Sequence, residues 1–329
     1  MFDIDILIDY LTFSITGISL KRIIKLFLLD KFTFVEGNSK LRFYKYTMYA
    51  LGCLVSYGGY NEREFGSICV SFSGTGCRAL ESFNTKDDEK FDWYKYLHLL
   101  YKHSNRCHVS RLDIACDEKE GILKFPTLVK SSVNHHYVTN FSLPLVSILK
   151  EEQIYWGATS SRFRIRIYNK ALERHVDGHW MRCELQCRNE SCFSFMRAWF
   201  ECGSLGQAYS GILLNSVRYT TKQNISNNMG RLKTSRWWTK FLETSNRIQM
   251  TYPYGLEYNL EKNESYIFGQ AGISIALWLN ANNGDIEKLA HQISSQAFRY
   301  TDSHKSKLDI LQKEVEERTK REYDRRNLF

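Results

Sequence analysis

The sequence has little proline and no recognisable linker. Its 329 residues include only three prolines, and no Gly/Ser-rich or Pro-rich stretch separates two halves. We therefore do not expect independent modules joined by a flexible tether. Because 43% of the residues are hydrophobic and 14% are aromatic, the chain is able to bury a sizeable core, as one large domain or two of moderate size.

The cysteines lack the spacing of a disulfide framework or a zinc site. There are nine of them, an odd number, and none forms a CxxC pair. Several lie in apolar runs, where cysteine behaves as a small buried hydrophobe. Acidic residues open the N-terminus where a signal peptide carries positive charge, and no run reaches about 20 apolar residues. These absences favour a protein of the reducing cytoplasm that makes no membrane contact.

Acidic residues are outnumbered by basic ones. The net charge is +9 and the isoelectric point is near 9.0. This excess favours a polyanionic partner, because basic side chains that neutralise phosphates release condensed counterions. A basic protein without any role on nucleic acid remains an alternative at this point.

Hydrophobic periodicity predicts an α+β fold. We expect a central, mainly antiparallel sheet with helices on its apolar face, followed by a mainly helical C-terminal part. Strands are predicted at 4–15, 44–57, 67–72, 108–117, 153–158, 162–169 and 180–188. Helices are predicted at 18–29, 77–83, 91–102, 123–133, 193–200, 235–245, 271–279 and 303–326.

The strand 162–169 carries an unusual polar row. Alternate side chains of a strand point to opposite faces, so Phe163, Ile165 and Ile167 form a core face. The opposite face carries Arg162, Arg164, Arg166, Tyr168 and Lys170. Tyr168 thus projects from the most basic row of the chain.

Two further strands show the same division. In 108–117, one face carries Arg111, Asp113 and Asp117 and the other is apolar. In 180–188, the polar face carries Arg182, Glu184, Gln186 and Arg188. If the three strands pair in one sheet, their polar faces form a single surface that holds a tyrosine, acids and arginines.

This combination suits cleavage of a phosphodiester by an activated hydroxyl. A phenol has a pKa of about 10 and needs a nearby cation or a metal ion to react at neutral pH. Asp113 and Glu184 offer the oxygen ligands that Mg²⁺ or Mn²⁺ prefers, and the arginines suit the DNA backbone. The same features also fit a solvated sheet face on which the two acids pair with Arg166 or Arg182.

Several stretches resemble the Rep_trans family of replication initiation factors from rolling-circle plasmids, and related relaxases of integrative conjugative elements. The strongest is SRFRIRIYNKALER at 161–174, with its IYNK motif. The other matching stretches are SFSGTGCRALE at 71–81, RLDIACD at 111–117, YWG at 155–157, WMRCELQCR at 180–188 and QAGISIALWLNANNGD at 270–285. The resemblance runs from about residue 5 to residue 290.

The resemblance implies a site and a reaction. The tyrosine of IYNK, here Tyr168, would attack origin DNA and leave a 5′-phosphotyrosine and a free 3′-hydroxyl. Asp113 and Glu184 would hold the metal. Gln186 stands where family members have a second acid, so it is a doubtful ligand. Lys170 and Arg174 are candidates for stabilising the phenolate or gripping phosphate.

The resemblance also implies a fold and partners. The fold would be similar to the sheet of HUH endonucleases, without the His-hydrophobe-His motif. This sequence has no such motif, because His135 and His136 are adjacent. Family members cleave a single strand presented by a hairpin, often act as dimers and recruit a helicase.

We therefore expect a catalytic nicking and joining domain at 1–205. The helical region 206–329 would serve DNA binding or dimerisation. The principal hypothesis is a rolling-circle replication initiator. A relaxase acting at a transfer origin is the closest alternative, and a non-catalytic DNA-binding regulator is an alternative from another class.

Overall fold

The structure is a computed structural model that describes most of the chain. It describes residues 5–38, 44–59, 66–85, 90–141, 146–149, 152–221, 232–242 and 271–300, with isolated residues between 250 and 319. Two compact units are present, Met1–Tyr252 and Pro253–Phe329. This division differs from the expected boundary at residue 205. A helix at Leu205–Ser216 belongs to the first unit, where the Tyr209 hydroxyl donates a 2.9 Å hydrogen bond to the Cys183 carbonyl.

Ten of the described strands form one sheet, and every neighbouring pair is antiparallel. Its order is β2-β3-β4-β5-β1-β6-β11-β10-β9-β8. The strands of this sheet are β1 (Asp5–Ile15), β2 (Val35–Asn38), β3 (Tyr44–Ala50), β4 (Cys53–Gly59), β5 (Ile68–Phe72), β6 (Cys107–Glu118), β8 (Val146–Leu149), β9 (Gln153–Trp156), β10 (Phe163–Asn169) and β11 (Met181–Arg188). A small second sheet pairs β7 (Tyr137–Thr139) with β12 (Val217–Tyr219). The prediction of a mainly antiparallel sheet is confirmed.

The described helices lie between and after the strands. Those of the first unit are α1 (Leu20–Leu26), α2 (Gly74–Asn84), α3 (Trp93–Lys102), α4 (Phe125–Val133), α5 (Lys170–Arg174), α6 (Glu190–Cys202), α7 (Leu205–Ser216) and α8 (Arg236–Leu242). In the second unit, α9 (Gly272–Ala281) and α10 (Ile286–Ser294) precede a 3₁₀ helix at Ser295–Arg299. The predicted terminal helix at 303–326 falls mostly outside the described residues. No helix of the described chain is both long and apolar enough to cross a membrane.

The core lies between the helices and one face of the sheet. Leu112, Ile165 and Leu185, one from each of three adjacent strands, are fully buried on this face. Aromatic contacts join sheet and helices: the rings of Phe13 and Phe27 lie 4.6 Å apart, and Phe27 meets Tyr96 of α3 at 5.6 Å. All nine cysteines are free, and seven are buried. Helices on the apolar face follow from the alternation of apolar and polar residues along the strands.

One predicted strand, 44–57, is in fact a hairpin. Strands β3 and β4 are joined at Leu51 and Gly52, whose φ angles are +44° and +79°. Two consecutive residues with positive φ are typical of a tight hairpin turn, where Asn-Gly or Asp-Gly is the usual signal. Leucine rarely adopts this conformation, so the apolar run concealed the turn.

This turn packs on the start of α2. The backbone N–H of Ser73 donates to the carbonyl of Gly52 at 2.9 Å. A Cβ on Gly76 would overlap that same carbonyl oxygen. Gly76 of the SGTG stretch therefore permits close packing of the helix against the hairpin turn.

We expect Gly76→Ala to destabilise the fold by about 1–3 kcal/mol, the usual penalty of overpacking. Gly206→Ala is the matched control, because its Cβ would meet no atom closer than 3.7 Å. The control should instead stabilise α7 by roughly 0.4–1 kcal/mol. Urea denaturation followed by circular dichroism measures both, and equal stabilities would contradict the packing argument.

Candidate active site

The strand register brings the predicted residues to one side of the sheet. Across β10 and β11, Arg166 is paired with Glu184 and Tyr168 with Arg182. Across β11 and β6, Gln186 is paired with Asp113. Because paired residues of antiparallel strands share a face, the phenol and the two acids lie on the same side, opposite the helices.

Tyr168 is held by charged groups. Its hydroxyl donates a 2.7 Å hydrogen bond to Oε1 of Glu184 and accepts a 3.1 Å hydrogen bond from Nζ of Lys170. Lys170 is in turn paired with Glu173 of α5. The guanidinium of Arg166 lies 3.7 Å from the centre of the phenol ring. Burial and then the Glu184 carboxylate raise the pKa of Tyr168, so the phenol is protonated in this arrangement.

Asp113 accepts hydrogen bonds from the guanidinium of Arg111. Arg111 donates to it from Nη2 at 2.6 Å and from Nε at 3.0 Å, and its guanidinium lies 3.7 Å from the ring centre of Tyr10. Burial raises the pKa of Asp113 to about 6, against the opposing hydrogen bond from Arg111. The charge of Glu184 raises the same pKa further, so the two acids interact electrostatically.

The expected open polar face is corrected by the structure. Tyr168 is only 2% exposed, and Asp113 and Glu184 are each 3% exposed. The covering groups include two long cationic side chains of the same face, Arg111 of β6 over Asp113 and Arg166 of β10 over the phenol ring. Arginine is suited to this, because its stem packs while its guanidinium forms ion pairs.

The predicted DNA-binding arginines differ in their surroundings. Arg182 is buried and forms ion pairs with Asp117 at 2.6 Å and Asp9 at 2.8 Å. It is therefore a structural cation rather than a surface phosphate contact. The side chain of Arg162 is 64% exposed, and Arg164 is stacked at 3.7 Å on the ring of Tyr155. Arg174 is exposed at the end of α5.

Sequence reasoning missed the residues that hold this network in place. Asp9 reaches Arg182 from β1, and Gln153 of β9 accepts a 2.9 Å hydrogen bond from Arg166. Glu173 lies 3.8 Å from Arg166 as well as pairing with Lys170. Only for Glu173 was a signal present, because residues three apart on a helix are neighbours.

Two neighbouring tryptophans and His135 lie away from this site. Trp238 is fully buried and packs its ring 5.0 Å from that of Tyr219, and Trp237 packs beside it. Trp238 belongs to the core, and the partly buried Trp237 packs against that core. His135 is exposed in the short connection after α4.

The donor set fits a hard divalent cation in part. No group of three or more His, Cys, Asp or Glu side chains is placed for a metal among the described residues. Asp113 and Glu184 nevertheless supply two buried carboxylates at diagonal positions of two neighbouring strands on one face, and Mg²⁺ commonly binds through one or two carboxylates plus substrate phosphate. Gln186 directs its amide nitrogen to Glu184 at 3.1 Å, which leaves its role as a ligand doubtful.

Comparisons with known proteins cover most of the chain. The family described as replication initiation factor matches residues 107–294, more than half of the sequence. The N-terminal domain of rolling circle replication initiation proteins matches residues 5–99. A solved structure, a rolling circle replication initiator protein from Geobacillus stearothermophilus, is similar with a TM-score of 0.59 and 24% identity, over 75% of this chain and 99% of that one. No curated protein matches the sequence.

Proposed function

This chain belongs to the replication initiation factor family, and we propose that it initiates rolling-circle replication by nicking and rejoining single-stranded DNA through Tyr168. One observation carries the proposal. The Tyr168 hydroxyl lies between the Glu184 carboxylate, which accepts its hydrogen bond at 2.7 Å, and the Lys170 ammonium group, which donates to it at 3.1 Å. A phenol flanked by a base and a cation has the arrangement of an activated nucleophile.

In the proposed reaction, the phenolic oxygen of Tyr168 attacks the phosphorus of the scissile phosphodiester. The P–O3′ bond breaks, which leaves a 5′-phosphotyrosine and an O3′ that takes a proton from water. Glu184 accepts the phenolic proton, and the ammonium of Lys170 stabilises the negative charge that develops on the tyrosine oxygen. Attack of a 3′-hydroxyl on the phosphotyrosine reverses the step and rejoins the strand.

Arg166 has to move before this reaction. Its guanidinium covers the phenol ring and lies 3.8 Å from Glu184. An incoming DNA phosphate offers a stronger partner, because arginine binds phosphate with two parallel hydrogen bonds. Binding of the strand would thus turn Arg166 outward and expose the hydroxyl. After Arg166 has moved, the ion pair with Glu173 would still hold Lys170 beside the hydroxyl.

Asp113 and Glu184 would hold Mg²⁺ or Mn²⁺ at this site. When bound, the ion supplies charge neutralisation to the scissile phosphate. Burial is the main cause of the raised pKa of Asp113, the charge of Glu184 adds to it, and Arg111 opposes both. The partners implied by the resemblance, a hairpin origin, a helicase and a second copy of the chain, stay predictions.

The proposal is tested by looking for protein-linked DNA. Purified protein is incubated with Mn²⁺ and with hairpin oligonucleotides tiled across the DNA element that carries its gene. Mass spectrometry of the digested protein should find a nucleotide attached to Tyr168 alone. An adduct at another tyrosine would move the nucleophile, and the absence of any adduct and any nick would favour a non-catalytic DNA-binding protein.

Replacement of Arg162 should weaken DNA binding and should make that binding less sensitive to salt concentration. The side chain is exposed beside β10, so Arg162→Ala should reduce the slope of log K against log salt by about 0.7 for each lost phosphate contact on a single strand. Arg22→Ala on α1, exposed and on the helical side of the sheet, is the matched control. Fluorescence anisotropy measures the slopes, and equal slopes for both variants would remove Arg162 from the DNA contact.

A further inference from the structure

The sheet consists of two halves with the same element order. The first half runs β1-α1-β2-β3-β4-β5-α2-α3, and the second runs β6-α4-β8-β9-β10-β11-α6-α7, with β7 and α5 as insertions. In both halves the first strand lies at the centre of the sheet and the remaining four are added from the outer edge inward. The first half thus has its own counterpart of the face on which the candidate active site lies.

The two faces are continuous. One line of paired residues crosses seven neighbouring strands, from β2 at the edge to β11 beside the site. Its members are Val35, Tyr49, Leu54, Ser71, Thr12, Arg111 and Arg188. At a spacing of about 4.8 Å between strands, the line extends over roughly 29 Å. We name the part from Val35 to Thr12 the N-terminal face.

The residues of the N-terminal face are uncharged, unlike those of its counterpart. Where the second half carries acids and arginines, β1 and β5 carry Thr12 and Ser71, whose hydroxyls are 2.7 Å apart. Tyr49 is 51% exposed and Leu54, its partner across β3 and β4, is 45% exposed. None of the side chains of the line from Val35 to Thr12 is an acid or an arginine.

We infer that the N-terminal face binds the single-stranded DNA that flanks the nicked phosphate. This inference rests on the proposed function. The DNA phosphates would bind Arg111 and Arg188 at one end of the line. The bases would stack on Tyr49 and contact Leu54 at the other end. Aromatic stacking beside a basic groove is how proteins bind single strands without reading sequence.

Charge and continuity favour DNA over a second copy of the chain. The side chains that β2 to β5 direct to this side include no acid among the described residues, so none of them would repel phosphate. The line leads without interruption to Arg111, which holds the candidate metal ligand Asp113. A DNA strand that leaves the active site in the direction of β1 would therefore meet the N-terminal face.

Strand β3 offers a matched pair of tyrosines for the test. Tyr46 is 55% exposed and Tyr49 is 51% exposed, but they are three residues apart along the strand, which places them on opposite faces.

The probe is oligothymidylate of about 16 nucleotides, the upper end of the site sizes of single-strand-binding domains. Its binding to the full-length protein is measured by fluorescence anisotropy. Tyr49→Ala should weaken binding about tenfold, the size of one lost base stack. Tyr49→Trp should retain binding, and Tyr46→Ala should change it by less than about twofold.

Equal effects of Tyr49→Ala and Tyr46→Ala, or no effect of either, would overturn the inference. Light scattering gives the mass of the protein without DNA. If Tyr49→Ala changes this mass but not the affinity for DNA, the inference is also overturned, because the face would then join two copies of the chain. The covalent adduct at Tyr168 is measured separately. Normal adduct formation with no Tyr49 effect removes only this inference, whereas a Tyr49 effect without any adduct removes only the nicking proposal.

Discussion

Tyr168→Phe should bind origin DNA with nearly the affinity of the unchanged protein and form no covalent adduct. The substitution removes one oxygen atom, and Arg166 still has an aromatic ring to cover. Glu184 keeps its hydrogen bond from Gln186, and Lys170 keeps its pair with Glu173. Since the missing oxygen is the proposed nucleophile, nicking should fall by at least about 10⁴-fold, the scale seen when an enzyme loses its nucleophile.

Tyr155→Phe is the control for this variant. Tyr155 lies on the neighbouring strand β9, and its hydroxyl donates to Gln153 at 3.0 Å without touching Glu184. It should nick and form adducts at the normal rate. The measurement is gel separation of labelled oligonucleotide from the protein–DNA adduct, and an adduct that survives in Tyr168→Phe would refute the assignment.

Asp113→Asn and Glu184→Gln should each reduce nicking by roughly 10²–10³-fold, the size of several kcal/mol of lost charge stabilisation at phosphate. Both substitutions preserve the shape of the side chain, so the fold should persist. They should also weaken Mn²⁺ binding to the free protein, measured by electron paramagnetic resonance. The Mn²⁺ affinity is needed as a separate measurement for Glu184→Gln, because this substitution also removes the proposed acceptor of the phenolic proton and would slow nicking for that reason alone.

Asp117→Asn is the matched control for the metal ligands. Asp117 lies on the same strand as Asp113 but its carboxylate is bound to Arg182 at 2.6 Å. Its substitution should lower stability, since a buried arginine loses part of its partner, and should leave Mn²⁺ affinity unchanged. If Asp113→Asn binds Mn²⁺ as tightly as Asp117→Asn does, Asp113 is not a ligand.

Local patterns were sufficient to predict the face on which each functional side chain lies. The alternation from Arg164 to Tyr168 and from Arg111 to Asp117 depends only on the pleat of a strand, and the observed register agrees with it. Arg162 instead precedes β10, and Lys170 begins α5. The hairpin at Leu51 and Gly52 was missed, because a leucine with positive φ has no signal in an apolar run. Helix α7 was not predicted either, because its apolar residues show only weak helical periodicity.

The sequence by itself determined that one tyrosine and two acids share a face, because a period of two residues places them there wherever the strands pair. Only the tertiary structure decided that this face is closed over by arginines and a lysine. Whether a long cationic side chain extends into water or folds over a neighbouring acid depends on which strands are adjacent and at which register. Those adjacencies join residues as distant as Asp9 and Arg182, and no local pattern specifies them.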